Sequence, residues 1–155
     1  MSNKSSYREA FNLLCDELIG RGMSRNVFSS ALLPDCVIKV EAGGGRFQNV
    51  VEWETWQRVK WTPAGRWFAE CKWISPNGMI LVMERTRPAA PAERPERLPA
   101  FLTDTKTTNF GMVPSTTRAG KPGPEWFVCH DYGTNLLFEN GMTKRTRKVE
   151  WTDLS

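Results

Sequence analysis

Apolar positions three or four residues apart open the chain: Phe11, Leu14, Cys15 and Leu18 fall on one helical face. Ser6-Tyr7-Arg8-Glu9 stands before them with the Ser-x-x-Glu spacing of a capping box, and the spacing predicts a core-facing helix that ends before Gly20. The period then changes. Val27-Phe28 and Cys36-Val37-Ile38-Lys39-Val40 are apolar, β-branched runs interrupted at Leu33-Pro34-Asp35, which predicts a β-hairpin. Gly43-Gly44-Gly45 breaks the second run and leads into a helix from about Gln48 to Trp61, with Trp53, Trp56 and Val59 on one side, Val50 adjoining, and Glu52 and Glu54 as carboxylates able to reach inward. Two strands, Trp67 to Ile74 and Met79 to Met83, flank Ser75-Pro76-Asn77-Gly78, whose Asn-Gly ending suits a tight turn.

Beyond Thr86 the pattern is set by Pro88, Pro91, Pro95 and Pro99, which exclude a continuous helix or a central strand and predict an extended connector. A second long hairpin is expected from Phe110-Gly111-Met112-Val113 and Trp126-Phe127-Val128-Cys129, with its tip at Gly120-Lys121-Pro122-Gly123-Pro124. After it, only Leu136-Leu137-Phe138 offers a short apolar anchor.

Composition narrows this picture. A chain of 155 residues, 40% hydrophobic and 25% charged, suits one folded domain, and seven Trp with eight Phe supply large buried area per residue. Cys15, Cys36, Cys71 and Cys129 form no Cys-x-x-Cys pair and three lie in apolar stretches, so they read as reduced core thiols rather than zinc ligands. No leader-like apolar core and no run of about 18 apolar residues is present, which gives the expectation of a reduced, cytoplasmic protein with no membrane partner. The net charge of +4 reflects a Lys/Arg surface, densest at Lys144-Arg145-Thr146-Arg147-Lys148.

Four groups of residues carry candidate chemistry. Gly20-Arg21-Gly22-Met23-Ser24-Arg25-Asn26-Val27 has two glycines that let backbone amides approach phosphate oxygens, with Arg25 where a third glycine would complete the pattern; Arg25 either adds a cationic phosphate contact or closes the site. Cys36-Val37-Ile38-Lys39 puts a lysine in an apolar strand, where pointing inward requires an anionic partner; Glu52 is the first choice and Glu54 the second. Leu81-Val82-Met83-Glu84 is a buried run ending in a carboxylate. Thr103-Asp104-Thr105-Lys106-Thr107-Thr108-Asn109 and Asp131-Tyr132-Gly133 supply acid, base and amide groups in one order. His130, beside Asp131, is read as a strand-end residue facing the other way and is given no role.

Taken in sequence, these groups resemble the protein-kinase-like superfamily, over roughly Gly20 to Gly133. The resemblance implies an α+β fold: an antiparallel small-lobe sheet with one core helix and a much reduced C-terminal lobe. It divides one domain into residues 1–84, a proline-rich connector 85–99, and a half at 100–155 carrying the loop and metal site. It also implies ATP and Mg2+ as cofactors. Gly20, Gly22, Lys39, Glu52 and Glu84 would hold the nucleotide, Glu84 through the strand where backbone groups meet adenine with Met83 behind. Asp104 would orient or deprotonate the attacking hydroxyl, Lys106 would neutralise the transferred phosphoryl, and Asn109 with Asp131 would coordinate magnesium.

The departures are as informative. Roughly nineteen residues separate Glu84 from Asp104, too few for the helices of a full large lobe, no Ala-Pro-Glu motif follows, and Leu102 and Thr103 stand where kinases carry His and Arg. These losses resemble the compact kinase-like proteins of bacteriophages, which would act in a host cytoplasm. Three readings follow: a minimal ATP- and magnesium-dependent phosphotransferase; an inactive pseudokinase-like module that binds and inhibits a host protein; and, third, a nucleic-acid binder using Lys144 to Lys148.

Overall fold

The computed structural model describes residues 3–22, 24–43, 47–114, 124–133 and 144–153. The fold is α+β, and its residues group into two compact units, Met1–Trp53 with Cys71–Arg85 and Glu54–Glu70 with Thr86–Ser155.

The first unit is built on a five-stranded antiparallel sheet made of β1 (Leu18–Arg21), β2 (Arg25–Ser29), β3 (Cys36–Glu41), β4 (Cys71–Ile74) and β5 (Ile80–Glu84), in the order β1-β2-β3-β5-β4. The predicted hairpins are both present. β2 pairs β3 with Val27 opposite Lys39, and β4 pairs β5 across the Asn77-Gly78 turn, where Gly78 takes φ +73° and a Cβ would lie 2.7 Å from the Val50 side chain. β3 is central and covered on both faces. Cys36 and Ile38 pack with Cys15 and Val82, with Leu14 and Val40 alongside, whereas the alternate residues Val37, Lys39 and Glu41 face the other way. Fully burying a side chain such as Ile38 of β3 or Leu81 of β5 contributes about 1.5–3 kcal/mol, so these two strands anchor the unit.

Helix α1 (Asn3–Leu14) departs from expectation. It starts before Ser6, which therefore lies inside the helix rather than capping it, and it engages the sheet only near its C-terminal end. There Cys15 is buried and Phe11, still 47% exposed, meets Phe28 edge-on at 6.4 Å. Leu18 belongs to β1, because the backbone turns after Asp16, whose N–H donates to the Ser29 carbonyl. Helix α2 (Gln48–Val59) ends two residues short of Trp61, which is 87% exposed. Its buried stripe is Asn49, Glu52, Thr55, Trp56 and Val59, so polar groups hold the place given to Trp53, which is half-buried.

In the second unit β7 (Phe110–Val113) and β8 (Trp126–Cys129) form the expected antiparallel hairpin. Residues 120–123 of its tip, and Leu136-Leu137-Phe138, lie outside the described residues. The predicted strand from Trp67 is shorter than expected: residues Pro63–Trp67 form a 3-10 helix and β4 begins at Cys71. The proline-rich stretch contains a 3-10 turn at Pro91–Glu93 and then β6 (Arg97–Pro99), which pairs with β9 (Thr146–Lys148) in a two-stranded ladder where proline is tolerated. Phe68 and Phe101 stack at 5.9 Å, and Tyr132 meets Phe68 edge-on at 4.9 Å, forming an aromatic core with Leu98 and Leu102. Gly111 is the tightest approach: a Cβ there would come within 2.5 Å of the Thr86 hydroxyl. All four cysteines are buried free thiols, and no helix among the described residues is long and apolar enough to cross a membrane.

Candidate functional site

Two constellations contain the residues singled out by sequence, one in each unit. In the first, strand alternation puts Lys39 on the sheet face opposite Cys36 and Ile38, and β2 and β5 bring Val27 and Leu81 beside it as cross-strand partners, with Met83 beside Val37. Lys39 Nζ donates to both carboxylate oxygens of Glu52, at 2.9 and 3.0 Å, and both side chains are almost fully buried. Glu54 is exposed on the far side of α2, so Glu52 is the lysine's partner. Glu84 is buried opposite Cys36, on the other face of the sheet from Lys39, which leaves only its backbone able to serve a ligand on the Lys39 face.

Arg25 resolves the alternatives left by its position. Its guanidinium turns inward and donates to Glu52 Oε1 and to Asn49 Oδ1, the latter at 3.1 Å. Glu52 thus bears two cations. Burial alone would raise its carboxyl, but Lys39 and Arg25 outweigh burial and hold it below the usual carboxylate range. The cluster of two cations and one carboxylate carries a formal excess of one positive charge.

Asn49 was not legible as a site residue, yet it organises this cluster. Fully buried, it spends its amide hydrogens on the Lys39, Gly78 and Met79 carbonyls, each at 3.1 Å, and its oxygen on Arg25. Glu41 in turn accepts the Asn49 backbone N–H at 2.8 Å, placing a carboxylate on the positive end of α2. Gly20 lies in β1 opposite Val27, and Gly22 donates its N–H to the Arg25 carbonyl at 2.8 Å. The two glycines therefore close the β1–β2 hairpin.

In the second unit, Asp104, Lys106 and Asn109 lie on one loop that enters β7. Asp104 Oδ1 accepts the Lys106 N–H at 3.4 Å, and Lys106 Nζ stands 3.9 Å from Asp104 Oδ2, with the lysine half exposed. β7–β8 pairing aligns Phe110 with Cys129, and just beyond it the Asn109 carbonyl accepts the N–H groups of His130 at 2.8 Å and Asp131 at 3.3 Å. Asn109 and Asp131, distant in sequence, are thereby neighbours. Tyr132 is fully buried and donates its hydroxyl to the Ala69 carbonyl at 2.8 Å, which fixes the residue following Asp131 while Asp131 itself stays at the surface.

The Asn109 side chain is 8% exposed, and its carboxamide has no hydrogen-bond partner among the described residues. Buried amides are ordinarily satisfied, and leaving one unsatisfied costs about 1–3 kcal/mol. The Asn109 side-chain oxygen is a hard donor of the kind magnesium takes, as is the carboxylate of Asp131, whose backbone N–H the Asn109 backbone carbonyl accepts. No group of three or more His, Cys, Asp or Glu able to hold a metal occurs among the described residues.

His130 has a role that sequence reasoning did not assign. Its Nε2 lies 2.7 Å from the Thr108 carbonyl, so it donates there, and Nδ1 accepts from the Thr86 hydroxyl at 2.7 Å. The ring ties the Asp104 loop to the segment after β5. His130→Ala leaves Thr86 and Thr108 short of a partner and is expected to cost about 1–3 kcal/mol, measured by urea denaturation; an unchanged denaturation midpoint would remove this role.

No protein-family model matches the chain, and a comparison with curated proteins finds no match.

Proposed function

We propose that the protein is a minimal ATP- and magnesium-dependent phosphotransferase of the protein-kinase-like type, with a small-lobe sheet and a reduced second half. The observation that carries this reading is the nearly buried Asn109 carboxamide, without a hydrogen-bond partner among the described residues, on a residue whose backbone carbonyl accepts the Asp131 N–H. The buried Lys39–Glu52 ion pair of the other unit also supports it. In this reading backbone groups at the end of β5 meet the base, with the buried Met83 behind, and Lys39 engages the phosphates. Asn109 and Asp131 would hold Mg2+, which when bound screens the phosphate charge. Asp104 orients the acceptor hydroxyl and takes its proton, while Lys106 stabilises negative charge on the transferred group. Positioning and electrostatics supply most of the acceleration in such chemistry, so a small scaffold suffices.

The inward turn of Arg25 favours a second reading, a pseudokinase-like binding module, since a cation already bound to Glu52 competes with the Lys39 pairing. Thermal melting separates the two. A ligand at 100 times its Kd stabilises the folded state by about 2.7 kcal/mol, so saturating ATP with Mg2+ should raise the midpoint by several degrees, and Asp131→Asn should remove the magnesium-dependent part. No shift at millimolar ligand would favour the binding module.

A further inference from the structure

We infer that residues 146–153 form a strap that fixes the 103–109 loop, with Trp151 as its positioning residue; the catalytic consequence rests on the phosphotransferase reading above. The strap meets the loop at its start, middle and end. At the start, β9 pairs with β6 and Arg147 donates to the Leu102 carbonyl. In the middle, Thr152 N–H donates to the Thr105 carbonyl at 3.1 Å, and Thr107 N–H donates back to the Thr152 carbonyl at 3.0 Å. Both threonine hydroxyls join this ladder, Thr105 donating to the Glu150 carbonyl at 3.1 Å and Thr107 to Asp153 Oδ1 at 2.9 Å. At the end, Trp151 packs edge-on against Phe110 at 5.1 Å and Phe127 at 5.5 Å, and its indole N–H donates to the Pro95 carbonyl at 3.2 Å.

The pattern of what the strap takes is selective. Alternate residues of an extended segment point to opposite sides, so a strap bound to Thr105 and Thr107 leaves Asp104 and Lys106 facing away from it. Phe110, gripped by Trp151, directly follows Asn109. The strap thus sets the spacing between Asp104 and Asn109 without occupying either side chain. It also accounts for part of the basic run at Lys144 to Lys148: Arg147 is directed to a loop carbonyl rather than outward to a polyanion.

The test uses the full chain and two readouts, amide hydrogen exchange and single-turnover transfer of labelled phosphate from Mg·ATP. Trp151→Ala should raise exchange at the Thr107 and Asn109 amides by roughly tenfold while the β3 amides stay protected. It should slow transfer by up to roughly 10²-fold with nucleotide affinity within about twofold of wild type. Trp151→Phe, which keeps the ring packing, should restore most of both. If Trp151→Ala does not fold, the paired change Thr105→Val with Thr107→Val removes the side-chain ties and leaves the aromatic cluster, with the same expectations. Unchanged exchange at Thr107 and Asn109 would overturn the strap, and raised exchange with unchanged transfer would overturn its positioning role. A wild-type chain that transfers no phosphate would end the phosphotransferase reading, while the exchange measurement would still decide whether the strap holds the loop.

Discussion

Glu52→Ala is expected to destabilise the protein by about 3–5 kcal/mol, because it leaves two buried cations without the carboxylate they share. Against a total stability of about 5–15 kcal/mol for an ordinary domain, that loss is a large fraction of the whole. Arg25→Met should cost distinctly less, since Lys39 and Glu52 remain a neutral pair. The ranking matters more than either value: equal losses would mean that charge balance is not what Glu52 supplies. Urea denaturation of the three proteins at neutral pH measures it.

The same carboxyl makes a pH prediction of definite sign. Its folded pKa lies below the ordinary glutamate value of about 4.3, so the folded state binds its proton less readily than the unfolded chain does. The contribution is therefore complete above that ordinary value and is lost as pH falls toward and through the folded pKa. Wild-type stability should drop below about pH 4, and Glu52→Gln, already lacking the charge, should show a shallower acid limb. Parallel acid limbs in the two proteins would contradict the assignment.

Asp104→Ala carries the second large effect. A positioned general base contributes about 10²–10⁴-fold to a rate, so transfer of labelled γ-phosphate should fall by that order while Mg·ATP affinity changes little. Asp104 is half-buried and meets the backbone N–H and ammonium of Lys106, so its removal should leave the core intact. Loss of binding together with transfer would place Asp104 in nucleotide recognition instead. Retention of full transfer would remove it from the chemistry.

How much of this was legible in the sequence depended on whether a residue's partner left a local trace. Lys39 did, because a lysine inside Cys36-Val37-Ile38-Lys39-Val40 demands a carboxylate, and the following helix offered only Glu52 and Glu54. The Asn77-Gly78 turn and the β7–β8 hairpin were equally readable from turn residues and alternation. Arg25 was ambiguous because its direction depends on strand register: opposite Glu41, it shares a face with Lys39, and no period-two pattern in so short a strand announces that. Asn49 at the start of a helix reads as an ordinary polar residue until the carbonyls of Lys39, Gly78 and Met79 are brought around it.

Long-range pairings hid the rest. Trp151 meets Pro95 and Phe110 from a distant part of the chain, and His130 reaches Thr86 and Thr108, contacts that no window of sequence encodes. The expected core-facing α1 failed for the opposite reason: Phe11, Leu14, Cys15 and Leu18 have helical spacing, but only the residues nearest the β1 entry find the sheet, and Leu18 is already part of it.

The central claim of the proposal, that the chain binds Mg·ATP, is tested most directly by calorimetric titration of Mg·ATP into wild type, Lys39→Met and Asp131→Asn. The account predicts binding in wild type, an affinity weakened in Lys39→Met, and a magnesium dependence lost in Asp131→Asn. Absence of binding at millimolar Mg·ATP, or an affinity that neither substitution alters, would contradict it.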